Sequence, residues 1–200
     1  MGPELLPMVF TSGWASGVNA YAVVLILGLF GRFAGVEAVP GTLMRTDVLV
    51  VAGVLFAIEA VADKISFLDS FWDAAHTVIR PAVGTALGAM LAGDASSFEQ
   101  ALLATTGGVT ALASHAVKAG LRAAVNTSPE PASNVVVSTA EDVTVAGVIS
   151  LSVVAPWVAA GLAACLLVIG LTLVLLALSR IRRVRAARRE HREQRLGAPT

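Results

Sequence analysis

Long, mostly apolar runs dominate the chain and recur with little interruption. They extend from Leu5 to Phe30, from Val48 to Ile58, from Pro81 to Ala92, from Gln100 to about Val125 and from Val143 to Ser179. A helix that crosses a bilayer needs about 20 mostly apolar residues, and several of these runs approach or exceed that length. The pattern predicts an all-α fold, a polytopic transmembrane helix bundle with about six hydrophobic segments.

The last apolar run is long enough to supply parts of two segments. It contains no charged residue, and Pro156 within it predicts a tight turn. Two crossings of a ~30 Å hydrocarbon core at ~1.5 Å per residue need more chain than this run supplies. The fifth segment is therefore expected to begin near Val135 and to carry Glu141 and Asp142 toward or into the membrane.

Small and polar residues interrupt the first segment between Thr11 and Asn19. Polar side chains can satisfy backbone groups freed at a helix break, and small residues let helix backbones approach closely. We expect a break or a close helix contact there. The pairs Gly13/Gly17, Gly31/Gly35 and Gly84/Gly88 also predict close helix packing.

Composition and charge agree with a membrane location. Of 200 residues, 56% are hydrophobic and 14% are charged, whereas soluble domains carry about 25% charged residues. Eight of the fourteen basic residues lie between Arg180 and Arg195. We therefore predict a transmembrane helical domain at residues 1–179 and a flexible, basic tail at residues 180–200.

The basic tail also sets the expected orientation. By the positive-inside rule it is cytoplasmic, in a multi-pass protein of the bacterial inner (plasma) membrane, and six crossings would place the N-terminus inside as well. The predicted partner is the lipid bilayer, with anionic lipids as candidates for contact with the tail. A homo-oligomer is compatible with the sequence, and we expect no nucleic-acid partner.

A faint internal repeat relates the two halves of the chain. Thr11-Ser12-Gly13 matches Thr105-Thr106-Gly107, and Val51-Ala52-Gly53-Val54 matches Val145-Ala146-Gly147-Val148 at the same offset. Two interpretations stay open. One is a pair of inverted three-helix repeats with broken or short helices, as in many secondary transporters. The other is chance similarity in sequence rich in Ala, Val and Gly.

Ionisable residues occur within the apolar segments at helical spacing, so that each set shares one helix face. Such residues are costly in a membrane and face a cavity or one another. The sequence therefore predicts a polar intramembrane site, with structural ion pairing between helices and solvation in a loop as the alternatives. Its members would be Glu59, Asp63, Asp73, His76, Arg80, His115, Lys118, Arg122 and Glu141.

The stretch from residue 126 to residue 134 contains two prolines, which break a helix. It is either a rigid cytoplasmic turn or a loop folded back to line the site, since irregular backbone at membrane depth is tolerated where it lines a cavity. In the second case the lining candidates are Asn126, Ser128, Glu130, Ser133 and Asn134.

Carboxylates with histidine suit divalent metals by ligand type, but no short metal-binding motif is present. We therefore predict no metal site. The sequence identifies no cofactor and no catalytic residue, and it favours a protein that is not an enzyme.

Four motifs taken together resemble a known family. They are Gly13-Trp14-Ala15-Ser16-Gly17-Val18-Asn19-Ala20-Tyr21, Glu59-xxx-Asp63-Lys64-Ile65, Asp69-xx-Trp72-Asp73-xx-His76-Thr77-xx-Arg80-Pro81, and Ser128-Pro129-Glu130-Pro131-Ala132-Ser133-Asn134 followed by Glu141-Asp142. With them the chain resembles, from about Phe10 to Gly161, the uncharacterised bacterial membrane family called domain of unknown function 4126. The resemblance implies a membrane-helical fold and no particular activity.

Three hypotheses for the function remain at this point. The first is a small transporter or channel-like protein, in which polar helix faces line a cavity and carboxylates or histidines exchange protons. The second is a membrane-embedded enzyme that uses the same residues on lipid or isoprenoid substrates. The third is a non-catalytic accessory membrane subunit. Convergence of the polar residues on one place would fit the first two hypotheses and equally structural ion pairing between helices, and loss of activity in folded variants would distinguish them.

Overall fold

A computed structural model describes residues 3–125 and 131–196 of the chain. In this part the fold is all-α, without strands, and a short 3-10 helix at Gly41–Met44 joins the first two α-helices. The all-α class predicted from the sequence is confirmed, and the described residues form six α-helices, as many as the predicted hydrophobic segments. The α-helices are α1 Leu5–Ala34, α2 Thr46–Ala62, α3 Ser66–Ala92, α4 Ser97–Val125, α5 Pro131–Val154 and α6 Pro156–Leu196.

Helix α1 is broken at Asn19, where the backbone leaves the helical region (φ −148°, ψ 97°). The Asn19 side-chain oxygen accepts a hydrogen bond of 2.9 Å from the backbone N–H of Ala22. An extended backbone with a side-chain bond to the third following residue is the geometry of a helix N-cap. Asn19 therefore ends one helix and starts the next, which confirms the predicted break.

The boundary between α5 and α6 also follows the sequence. Helix α5 ends at Val154 and α6 begins at Pro156, which fits the first turn of a helix because proline has no N–H to leave unsatisfied. Helix α5 begins at Pro131, slightly before the expected start near Val135, and includes Glu141 and Asp142 as predicted.

The predicted lining loop falls largely in the gap between the described ranges. Asn126, Ser128 and Glu130 lie outside the described residues, and Ser133 and Asn134 lie in the first turn of α5.

Glycines set the distance between α1, α3 and α4. A Cβ added at Gly13 or at Gly84 would lie 2.6 Å from the carbonyl oxygen of Gly107, and one at Gly88 would meet the Leu103 backbone. Only glycine permits such backbone contact, so the packing predicted for Gly13 and Gly84 is confirmed.

Gly35 differs from the packing glycines. It ends α1 in the left-handed conformation (φ 66°), with nothing near its Cβ position. Its role is that of a helix cap rather than a packing contact, because an L side chain rarely adopts this backbone conformation. The packing role predicted for the Gly31/Gly35 pair is therefore wrong for Gly35.

The contacts also give the helix directions. Gly13 meets Gly107 and Gly17 meets Ala111, so positions advance together along α1 and α4, and the two helices run in the same direction. Gly84 meets Gly107 whereas Gly88 meets Leu103, so α3 runs against α4. An inverted repeat requires α1 and α4 to run in opposite directions, so that interpretation is not supported. The matching glycines have a simpler explanation, because they lie in one shared helix contact.

Helix α2 runs against α1 but reaches only the break in that helix. It begins at Thr46, which accepts a hydrogen bond of 2.8 Å from Arg32 near the end of α1. It is followed directly by Asp63, which pairs with Lys118, and the Lys118 amine lies 3.0 Å from the carbonyl oxygen of Val18. The C-terminal end of α2 therefore lies beside the middle of α1.

Three described helices are long and apolar enough to cross a membrane, namely Leu5–Ala34, Val135–Val154 and Pro156–Arg183. The other helices carry more charge, and most of that charge faces inward, although Asp47 in the first turn of α2 is exposed. On α3, Phe67, Phe71 and Val78 are 87%, 66% and 74% exposed, whereas Arg80 is fully buried. This arrangement is the reverse of a water-soluble protein, in which buried charges are rare and must be paired.

Candidate functional site

Eight charged side chains meet between α2, α3, α4 and α5, and we call them the charge network. Seven of them are buried and Glu141 is half-buried. Buried charges of this kind are stable only when they are paired and hydrogen-bonded. The members are Glu59, Asp63, Asp69, Asp73, Arg80, Lys118, Arg122 and Glu141.

Arg80 is at one end of the network. One guanidinium nitrogen lies 2.6 Å from Glu59 Oε1, and the other lies 2.8 Å from Asp73 Oδ1. The second nitrogen is also 2.7 Å from His115 Nδ1. The planar fork of arginine holds three partners in fixed directions, which the single ammonium group of lysine does not reproduce. Arg80 therefore ties together residues from α2, α3 and α4.

Lys118 and Arg122 form the other end, one turn apart on α4. The Lys118 amine is 2.7 Å from Asp63 Oδ2. Arg122 is 2.8 Å from Glu141 Oε2 and 3.3 Å from Asp63 Oδ2, and it donates to the Asp63 backbone carbonyl at 3.0 Å. The i, i+4 spacing seen in the sequence places both cations on one face of α4, where they join α5 to the segment that follows α2.

The site is adjacent to the break in α1. The Asn19 side-chain amide donates to Asp142 Oδ1 at 3.1 Å. Asp142 thus lies at the N-terminus of the second half of α1, where free N–H groups and the helix dipole favour negative charge. Asp142 is the sixth carboxylate in this region.

Two histidines flank Arg80, each with two polar partners. His76 Nε2 lies 2.9 Å from the Tyr21 hydroxyl, and its Nδ1 lies 2.7 Å from the Trp72 carbonyl oxygen. His115 Nε2 lies 3.2 Å from the Thr77 hydroxyl, opposite the nitrogen that meets Arg80. His76 also stacks on the Trp72 ring, with ring centroids 4.7 Å apart.

The charges of the network do not balance. Its five carboxylates, namely Glu59, Asp63, Asp69, Asp73 and Glu141, face three cations, which leaves two negative charges in excess. Glu59 Oε2 and Asp63 Oδ1 are buried and have no hydrogen-bond partner among the described residues. A buried acceptor without a donor costs ~1–3 kcal/mol. The site is therefore chemically suited to take up protons or another positive charge.

Three cavities reach the site from different sides. One of about 270 Å³ lies between α3 and α4 and is lined by Asp69, Asp73 and Arg122. A second, of about 330 Å³, reaches Lys118 and Glu141 from the face formed by α1, α4, α5 and α6. A third, largely apolar cavity of about 350 Å³ reaches Tyr21 between α1, α2 and α3.

All nine residues predicted for the polar site therefore lie in or next to one cluster. The site also contains polar residues that the prediction omitted, namely Asn19, Tyr21, Asp69, Thr77 and Asp142. The sequence contained a signal for two of these residues. Asn19 directly precedes an apolar run, as a helix cap does, and Tyr21 is the only tyrosine of the chain.

Metal coordination is a separate question. Within residues 3–125 and 131–196, no group of three or more His, Cys, Asp or Glu residues is arranged to hold a metal ion. The carboxylates that a metal would need are instead turned toward Arg80, Lys118 and Arg122.

Fold and site together define an α-helical protein of membrane character with a buried charge network. The chain belongs to the family described as "Domain of unknown function (DUF4126)", whose model matches residues 6–176. This confirms the resemblance inferred from the motifs. No curated protein and no solved structure gives a significant match to the chain.

Proposed function

We propose that the protein is a small proton-coupled transporter, and that the charge network is its proton-exchange site. The excess of two carboxylates over cations carries the proposal. In a low-dielectric interior an uncompensated charge is costly, so excess carboxylates bind protons or cations. Cavities on several sides of the network would give those protons routes of entry and exit.

The backbone near the network supports the same proposal. Transporters commonly bind substrates and ions where helices are interrupted near the membrane midplane. Here α1 is interrupted at Asn19, and α2 ends at the network beside that break. Both features bring helix termini, with their free backbone groups, to the buried charges.

We further propose that α1, α3, α4, α5 and α6 cross the membrane and that α2 enters without crossing. The inward charges of α3 and α4 and their exposed apolar side chains support this topology. Five crossings place the termini on opposite sides. The basic tail makes the C-terminal side cytoplasmic by the positive-inside rule, so the N-terminus would be outside rather than inside. Reporter fusions at each terminus test the arrangement.

Electrical recording on a solid-supported membrane tests the transport proposal. Proteoliposomes carrying the purified protein receive a rapid pH jump, and the displaced charge is measured. The wild-type protein should give a transient current as protons enter the buried site. Glu59→Gln should reduce the current, because it removes one excess carboxylate while keeping an acceptor oxygen for Arg80.

Asp94→Asn is the matched control, because it changes an exposed carboxylate in the α3–α4 connection. It should leave the current unchanged. A wild-type protein without a pH-dependent current would contradict the proposal. So would folded Glu59→Gln protein with the full wild-type current, which would assign the network to holding the helices together.

A further inference from the structure

The hydrogen bonds of His115 fix its protonation state. Arg80 has only donors, so His115 Nδ1 must be the acceptor in their 2.7 Å bond. The Thr77 hydroxyl has a single hydrogen. Its oxygen lies 3.1 Å from the Asp73 backbone carbonyl oxygen, and the hydroxyl donates that hydrogen to the carbonyl. His115 Nε2 therefore donates to Thr77. This assigns a neutral ring, and a second proton on Nδ1 would replace an accepted bond with a contact between two cations.

The hydrogen bonds of His76 have the opposite polarity. The Trp72 carbonyl only accepts, so His76 Nδ1 carries the hydrogen of their 2.7 Å bond. In the neutral ring Nε2 then accepts from the Tyr21 hydroxyl at 2.9 Å. A proton added at Nε2 reverses only this bond, because a tyrosine hydroxyl can also accept. His76 can therefore gain a proton without losing a partner.

Tyr21 places this site next to a cavity at the surface of the helix bundle. Its side chain is partly exposed and lines the cavity of about 350 Å³ between α1, α2 and α3. On its inner side the hydroxyl meets His76, which lies on the same helix as Asp73 and Arg80. A proton that arrives by this cavity meets Tyr21 and His76 before it meets the ion pairs.

Resting on the proposed function, we propose that His76 Nε2 is the proton-binding site through which the charge network is loaded, with Tyr21 as its outer partner. His115 remains neutral and positions Arg80. In the loading step an N–H bond forms at His76 Nε2, the Tyr21 hydroxyl turns to accept from it, and the region gains one positive charge. The charged and titratable groups around His76 are Tyr21 from α1, Glu59 from α2, Asp73 and Arg80 from α3, and His115 and Lys118 from α4.

Nitrogen NMR of the full chain in lipid nanodiscs, with ¹⁵N-labelled histidine, tests the assignment directly. The chain has three histidines, and their signals are assigned with single variants of each. As the pH is lowered from about 8 to about 5, the range in which histidine normally titrates, His76 should change from the Nδ1–H form to the doubly protonated ring. His115 should remain in the Nε2–H form. A His76 ring that stays neutral, or a His115 ring that titrates, would overturn the proposal.

The same substitution at both positions gives an independent test. Asparagine at position 115 offers an oxygen near the place of Nδ1, so His115→Asn should keep the bond from Arg80 and lose less of the pH-jump current than the same change at position 76. Asparagine at position 76 can donate to Trp72 but has no group in the place of Nε2, so His76→Asn should fold and lose most of the current. An equal loss or an equal retention of the current in the two variants would refute the different roles proposed for His76 and His115. If the wild-type protein gives no current, the NMR titration alone still decides the proton site.

Discussion

The interaction between Arg80 and Glu59 gives the sharpest energetic prediction. Both side chains are fully buried, and their charged atoms are 2.6 Å apart. Arg80→Gln leaves the carboxylates of Glu59 and Asp73 without this cation. Removal of one partner from a buried ion pair costs ~3–5 kcal/mol, so the variant should lose about that much free energy of unfolding.

Glu59→Gln should cost less. Its side-chain oxygen still accepts from Arg80, and only the charge of the acceptor is lost. Hydrogen bonds to charged groups contribute ~1.5–3 kcal/mol and neutral ones ~1 kcal/mol, so the loss should be about 1 kcal/mol. The double variant removes one cation and one carboxylate together. Its loss in free energy of unfolding should therefore be ~2 kcal/mol smaller than the sum of the losses in the two single variants. A coupling energy of this size is within the usual range for contacting residues.

Equilibrium unfolding in mixed micelles measures this double-mutant cycle, with the fluorescence of the three tryptophans as the signal. The cycle Arg45→Gln and Asp47→Asn is the control, because that pair has a similar distance of 2.7 Å but is largely exposed. Exposed pairs contribute ~0–1 kcal/mol. Equal coupling energies in the two cycles would refute the argument that burial makes the network strongly interdependent.

Two further predictions concern the helix framework. Gly107→Ala should lower the free energy of unfolding by ~1–3 kcal/mol, the cost of overpacking, because the new methyl group would overlap the Gly84 backbone; Gly147→Ala, at a position with open space, should have no such cost in the same unfolding assay. Asn19→Ala should cost ~1 kcal/mol through the lost helix cap and increase hydrogen exchange of the Ala22 amide, and an unchanged exchange rate would show that the cap is not needed.

The helices and the site members were largely predictable from the sequence, for a common physical reason. Apolar runs of membrane length can bury their backbone only as helices. Lys118 lies within such a run, Glu59 and Arg80 lie directly at the ends of two others, and an ionisable group at membrane depth must find a partner. The prediction that these residues converge needed no knowledge of the helix arrangement.

The arrangement itself was not predictable from the same signals. The segments around Gly13 and Gly107 match at the same offset as a second pair of segments, which resembled an inverted repeat. The side-chain pattern alone does not distinguish related halves from two helices that pack against each other through small residues. The hydrogen-bond partners of the histidines could not be predicted from the sequence either, because Tyr21 and Thr77 contact them only where the observed helices cross. The end of α2 beside Val18 likewise depends on tertiary contacts.

Infrared spectroscopy of the protein in lipid tests the central claim most directly, since a protonated carboxyl group has a C=O stretch that a carboxylate lacks. Near neutral pH the wild-type spectrum should contain this carboxylic-acid band, because the network holds two more carboxylates than cations. The band should decrease in Glu59→Gln and stay unchanged in the exposed control Asp94→Asn. A wild-type spectrum without the band, or an equal band in Glu59→Gln, would contradict the account of the network as a proton-binding site.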